Sequence, residues 1–238
     1  MSRLLIVKTG STVPELRARR GDFEDWIAAG MGLARDAVDV VAVDQGEQLP
    51  APDAPSGVVV TGSSALVSER LPWSERTAEW LARATLRGTP VLGICYGHQL
   101  LAHGLGGTVG RNPRGREIGT VVVRTLEPAQ ADPLLAVLGP AEPAHTTHVE
   151  SVIALPAGAV RMAESDLDPV QAFAVGERAW GVQFHPEFDA HAVRAYLTAR
   201  RDAARAEGLD PDALLAGVRE TPSGPRLLRR FAELVDAR

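Results

Sequence analysis

The stretch that most constrains this chain is residues 90–107, P-V-L-G-I-C-Y-G-H-Q-L-L-A-H-G-L-G-G, which holds its only cysteine. Residues 90–94 make a short apolar run of strand length, and residues 98–105 are spaced as a helix closed by Gly106 and Gly107. Cys95 therefore falls at a strand-to-helix turn, with Gly93 and Gly97 two places away on either side. This is the nucleophile-elbow pattern, in which the glycines let the backbone turn sharply and let strand and helix pack closely. Such a turn lifts the side chain clear of the sheet edge. It also aims free N–H groups and the positive end of a helix at the sulfur, which favours thiolate. A lone cysteine in an apolar strand is ordinarily a small buried hydrophobe; the glycine frame favours the nucleophile.

A thiolate needs a partner that moves protons. Residues 179–188, A-W-G-V-Q-F-H-P-E-F, read as a strand ending at His185 with Glu187 two residues later. Pro186 keeps the chain extended there, so His185 and Glu187 are expected on the same side. The imidazole can then face the sulfur while the carboxylate holds its other nitrogen. An H-P-E alone is a weak signal, because strand-end histidines are often only packed. Combined with the elbow it is strong.

On G-I-C-Y-G-H-Q around Cys95, V-Q-F-H-P-E around His185 and T-G-S-S at residues 61–64, the chain resembles a class I, triad-type glutamine amidotransferase domain. The likeness is to the amidotransferase portion of GMP synthetase, and its motifs span most of the chain. It implies a flavodoxin-like α/β fold with Cys95 as nucleophile, His185 as acid-base and Glu187 as its orienter. It further implies that Gln99 contacts a bound glutamine and that the N–H groups of Gly62 and Tyr96 form the oxyanion hole. Glu117, in a region that borders the glutamine pocket in that family, and His148, in a histidine-bearing segment near the acceptor side, are implied as pocket residues.

Taken in order, residues 3–8 are an apolar first strand, followed by a loop, 9–14, at the expected ligand edge of a sheet. Residues 21–33 read as a helix with Asp22 as N-cap and with Phe23 and Trp26 as core side chains. Strands are expected at 37–43 and 57–61, the latter ending in the T-G-S-S turn, and Ser74 is read as the cap of a helix to about residue 87. Residues 108–119 are turn-rich, with arginines read as solvated charge. Residues 120–124 and 152–155 read as strands, 132–138 as a short helix, and 162–165, 170–175 and 180–184 as the closing strands. His145, His148 and Glu150 cluster in residues 143–150, but extended spacing does not bring all three to one side and no helical H-E-x-x-H is present, so no metal is assigned. From about residue 189 the composition turns to Ala, Arg and Leu at helical spacing. It gives a helix to about 206 and shorter ones at 210–219 and 226–237.

Strands alternating with helices imply a largely parallel central sheet covered on both faces, with the site at the strand carboxyl ends. The 238 residues fit a single domain with a helical C-terminal extension from about residue 189. Twenty-five basic and 30 acidic residues, with no basic run, exclude nucleic acid as a main partner. One cysteine, no signal peptide and no membrane-length apolar run point to a reducing cytoplasm and no membrane role. No cofactor is expected.

The resemblance implies attack of Cys95 on the side-chain amide of glutamine, release of ammonia and hydrolysis of a γ-glutamyl thioester. There is no P-loop or second catalytic domain in the sequence, so the ammonia acceptor and the oligomeric state stay open. Three expectations follow: a glutaminase subunit feeding a separate synthetase, a free-standing hydrolase of γ-glutamyl amides or peptides, and a binding or regulatory module whose triad is idle.

Overall fold

The computed structural model describes residues 3–236. β1 (Leu4–Lys8) is buried at every position. Successive strand side chains point to opposite faces, so Leu4 and Ile6 join one core cluster while Leu5 and Val7 join another. α1 (Pro14–Arg20), a short helix not expected from the sequence, leads into α2 (Phe23–Met31). Asp22 caps α2 as expected: its carboxylate accepts from the Phe23 N–H, and Asp25 accepts from the Asp22 N–H in return. β2 (Val38–Ala42), β3 (Gly57–Val60), α3 (Pro72–Leu86), β4 (Val91–Ile94) and α4 (Tyr96–Gly104) complete the alternating half. Then come β5 (Thr108–Arg111), β6 (Glu117–Thr125), β7 (Ala141–His148), β8 (Glu150–Ala154), β9 (Ala159–Glu164), β10 (Ala172–Val175) and β11 (Ala179–Val182). The chain ends in α5 (Ala190–Ala199), α6 (Arg201–Ala206), α7 (Pro211–Ala216) and α8 (Ser223–Asp236).

The main sheet runs β2-β1-β3-β4-β11-β10-β9-β6-β7, and β5 pairs with β8 apart from it. The five strands from β2 to β11 are parallel. The next four join antiparallel. This is the expected α/β architecture, and its parallel part carries the site. α2 and α8 cover one face, where Phe23, Ile27, Leu227 and Phe231 pack with Trp180. α3 and α4 cover the other through Leu81, Leu100 and Leu101. β11 lies beside the elbow strand, with Gly181 opposite Gly93 and Val182 opposite Ile94. Two segments some ninety residues apart in sequence therefore end together at the carboxyl edge of the sheet.

Several local expectations are corrected. The third helix begins at Pro72, whose fixed φ suits a first helical position; Ser74 lies inside it, buried, with Oγ 2.6 Å from the Tyr96 hydroxyl. Residues 132–138 do not form an α-helix. Asp132 accepts from the N–H groups of Leu134 and Leu135 and from Trp180 Nε1, an alternative to helical pairing that leaves 3-10 turns at Glu127–Ala131 and Leu135–Val137. The turn-rich stretch holds β5 and the start of β6, and the long helix expected to residue 206 is interrupted at Arg200.

α8 is built into the core: Leu227, Leu228 and Phe231 are fully buried, and the Phe231 ring meets Trp180 edge-on at 6.1 Å. Phe231→Ala is expected to lower the unfolding free energy by ~3–5 kcal/mol, read from the urea midpoint at unchanged slope. A loss below about 1 kcal/mol would mean that α8 contributes little to the core.

Candidate active site

Cys95 sits in a backbone conformation that only glycine adopts freely, φ 51° and ψ −101°. Such a position costs roughly 1–3 kcal/mol and persists only where its surroundings enforce it. Here the Cys95 N–H donates to Val182 O at 2.9 Å, and the Gly97 N–H donates to Thr61 O at 3.2 Å. A Cβ on Gly93 would collide with the backbone of Gly97, and one on Gly97 with the backbone of Val60. The two glycines thus allow the close strand-helix approach that holds the turn, and they leave Cys95 only 6% exposed.

β11 ends at Val182, three residues before His185, which is placed by its own N–H donating to His145 O at 2.8 Å. The His185 ring stacks on Phe188 with centroids 4.1 Å apart and planes within 16°. Its Nδ1 lies 2.8 Å from Glu187 Oε1, on the same side of the chain as Pro186 suggested. That contact leaves Nε2 available to the sulfur. Gly62 closes the third side: a Cβ there would approach His185 Cε1 to 3.0 Å and Cys95 Cβ to 3.9 Å.

The Thr61–Gly62 peptide is fixed by its carbonyl, which accepts from Thr9 Oγ1 at 3.0 Å as well as from Gly97. In a trans peptide the N–H points the opposite way, so the Gly62 N–H is directed away from these partners. It donates to no other group among the described residues, nor does the Tyr96 N–H in the first turn of α4.

Electrostatics follow from burial and pairing. Burial alone would push the Cys95 thiol up, but the charge of His185, and then that of His148, hold it below its ordinary 9.0. Burial likewise opposes a charged His185. Glu187 and the Cys95 sulfur outweigh it and raise the imidazole to about 10. Thiolate and imidazolium therefore stabilise one another.

Gln99 lies within α4, its amide nitrogen donating to Glu150 O at 2.8 Å and Gln183 Oε1 at 3.0 Å, while its Oε1 has no partner among the described residues. Both ring nitrogens of His148 face acceptors, Glu150 O at 2.9 Å and Glu117 Oε2 at 3.1 Å. Burial opposes its charge but the Glu117 carboxylate prevails, so its pKa is raised. Glu117, opposite His148 in the β6–β7 ladder, is further engaged by Ser165 Oγ and Gln171 Nε2. The structure thus places Glu117 behind His148, with its carboxylate committed to neighbours, and only His148 reaches the cavity wall. His145 is directed to Thr120 Oγ1, and among the described residues no three His, Cys, Asp or Glu side chains converge as metal ligands.

Cys95 stands between two clefts. The first, about 470 Å³, is lined by Tyr96, Gln99, His148 and Glu150. The second, about 610 Å³, is lined by Thr12, Phe23, His185 and Tyr196. Phe23 thus belongs both to the core and to a cleft wall. Ser63, Thr147 and Arg200 border both. Sequence reading missed Glu150 as a pocket residue, Tyr196 and Arg200 as wall residues, and Phe188 as the surface that holds the His185 ring. Only Phe188 had a local signal, its adjacency to H-P-E.

Residues 21–200 match the family Glutamine amidotransferase class-I. The chain belongs to that family. It is 36% identical over 185 residues, 77% of this chain and 32% of the other, to a GMP synthase [glutamine-hydrolyzing] of Aeropyrum pernix. It is 31% identical over 244 aligned positions, 98% of this chain and 42% of the other, to the enzyme so named in Parasynechococcus marenigrum. The chain therefore spans between 32% and 42% of the length of these two curated relatives. A crystal structure of a glutamine amidotransferase from Thermotoga maritima superimposes with a TM-score of 0.76 at 25% identity, covering 99% of this chain and 98% of that one. Among the described residues no helix is long and apolar enough to cross a membrane.

Because Cys95 is the only cysteine, its ionisation can be followed directly by thiolate absorbance near 240 nm. The titration is expected below 9.0 in the native protein and is expected to move upward in His185→Ala, where burial remains and the main compensating charge is gone. An unmoved titration in that variant would mean that His185 does not set the thiol.

Proposed function

We propose that this amidotransferase domain releases ammonia from the side chain of glutamine through a γ-glutamyl thioester on Cys95. The observation that carries this reading is the buried thiol on a strained elbow beside an imidazole held by Glu187. The Cys95 thiolate attacks the γ-carbonyl carbon, and the oxyanion that develops is received by the N–H groups of Gly62 and Tyr96, each such donor being worth about 2.7–4 kcal/mol. The C–N bond breaks as the His185 imidazolium protonates the departing nitrogen. A water then gives a proton to the neutral imidazole and attacks the thioester, expelling the thiolate and releasing glutamate. Glu187 orients His185 and supports its charged form throughout.

The first cleft suits the glutamyl group. Gln99 presents its unpartnered Oε1 there, and His148 forms part of the same wall. Glu117 acts through His148, whose charge it sustains. No step calls for a cofactor. The relatives named GMP synthase support a partner that consumes ammonia, a synthetase acting with this domain. The helices after residue 189 act as part of the same catalytic unit, because Tyr196 and Arg200 line the clefts. A free thiol as sole cysteine suits a reducing, cytoplasmic compartment. A second reading, hydrolysis of substituted γ-glutamyl amides, is favoured by the second cleft.

Glutamate release from glutamine is expected to fall by at least about 10⁴-fold in Cys95→Ala and nearly as far in His185→Ala. Glu187→Gln should lose less rate and shift the alkaline limb of the pH–rate profile down from about 10, because His185 would lose the charge that raises it. Wild-type rates in Cys95→Ala would exclude the mechanism.

A further inference from the structure

The second cleft has a property that ammonia release does not require. His185 lies in its wall and not in that of the first cleft, so a leaving nitrogen protonated by His185 departs into it. Its space, about 610 Å³ with its solvent-open mouth included, exceeds what ammonia needs; a water, of similar size, occupies about 30 Å³ in the liquid. Val13, Pro14 and Phe23 give it an apolar side, with Ser11 and Thr12 as neutral polar groups. None of its lining residues is an aspartate or glutamate.

Besides the His185 imidazolium its cation is Arg200, at the break between α5 and α6 where both clefts meet. Arg116, the other guanidinium at the first cleft, is neutralised by two bonds to Glu207 at 2.8 and 2.9 Å. The side chain of Arg200 has no hydrogen-bond or ion-pair partner among the described residues, and its Nε is buried. A buried charged donor without an acceptor is costly, and a guanidinium is suited to a carboxylate. Charge divides the clefts. The first contains Glu150, whose Oε1 is buried without a partner and suits the α-ammonium of a glutamyl group. The second has no carboxylate to offset its cations.

We propose that the second cleft is a binding subsite for the amine portion of N-substituted γ-glutamyl amides, and that Arg200 selects those whose amine bears a carboxylate, γ-glutamyl amino acids above all. This rests on the thioester chemistry proposed for Cys95, His185 and Glu187. The Cys95 sulfur forms its bond to the γ-carbon and the C–N bond breaks. The electron pair stays on nitrogen, which takes the His185 proton and leaves as a neutral amine in the second cleft. Water then releases glutamate and restores the thiolate and imidazolium.

The test compares kcat/KM for glutamine, γ-glutamylglycine and γ-glutamylmethylamide, which differ in the presence and charge of the substituent. The unaltered protein should cleave γ-glutamylglycine roughly tenfold to a hundredfold better than the methylamide, the range of one charge-assisted hydrogen bond. Arg200→Gln should bring that ratio toward one, and Arg200→Lys should retain part of it. An equal fall on all three substrates in Arg200→Gln would overturn the assignment, since Arg200 would then hold the glutamyl end. Turnover of glutamine with no cleavage of either substituted amide overturns the subsite and leaves the thioester chemistry standing. No turnover of any of the three by protein whose Cys95 alkylates normally overturns both.

Discussion

The site depends on one unfavourable act offset by its surroundings, the burial of a thiol whose pKa is nonetheless held below its ordinary value. A cysteine as enclosed as Cys95 would on desolvation alone remain a neutral thiol. The opposing charge of His185 must therefore be close, and it must itself survive burial, which Glu187 secures from the far side of the ring. His148, whose charge Glu117 sustains from behind, adds positive potential at the wall of the first cleft. Polar networks of this kind stabilise only when their members are satisfied, and Ser165 and Gln171 satisfy the Glu117 carboxylate in this one.

This arrangement needs rigid supports, and the parallel half of the sheet supplies them. Pairing of β4 with β11 fixes the elbow relative to the H-P-E turn, and the Gly97 bond to Thr61 fixes it relative to the Gly62 turn. Three loops from different parts of the chain are thus held by backbone hydrogen bonds, with side-chain packing completing the work. Phe188 orients the imidazole by stacking, and Gly224 at the start of α8 packs directly on Pro186. The C-terminal helix consequently supports the H-P-E turn as well as closing the core.

Local signals in the chain were strong where chemistry and backbone geometry coincide. Gly93, Cys95 and Gly97 announce a strained turn because no other pattern lets strand and helix come so close. Asp22 announces a helix start through a capping box complete in itself. The signal failed where a side chain had a distant partner. Ser74 has the chemistry of a cap, but its hydroxyl is bonded to Tyr96. Asp132 sits in a helix-length segment, but its carboxylate is drawn to backbone N–H groups and to the Trp180 indole. Glu117 was expected at the pocket, and the β6–β7 register turned it toward His148.

The sequence by itself marked the candidate nucleophile and its candidate acid-base partner, and it determined the α/β class and the family likeness, because each is encoded in contiguous residues whose geometry is local. Only the tertiary structure decided which helices close the site, that Glu150 and Arg200 carry unpartnered polar atoms at its clefts, and that Cys95 divides two cavities of different charge. The physical reason is that a cavity is what packing leaves unfilled. Its walls come from segments far apart in the chain, and a charge is paired or unpaired only once all its neighbours are in place.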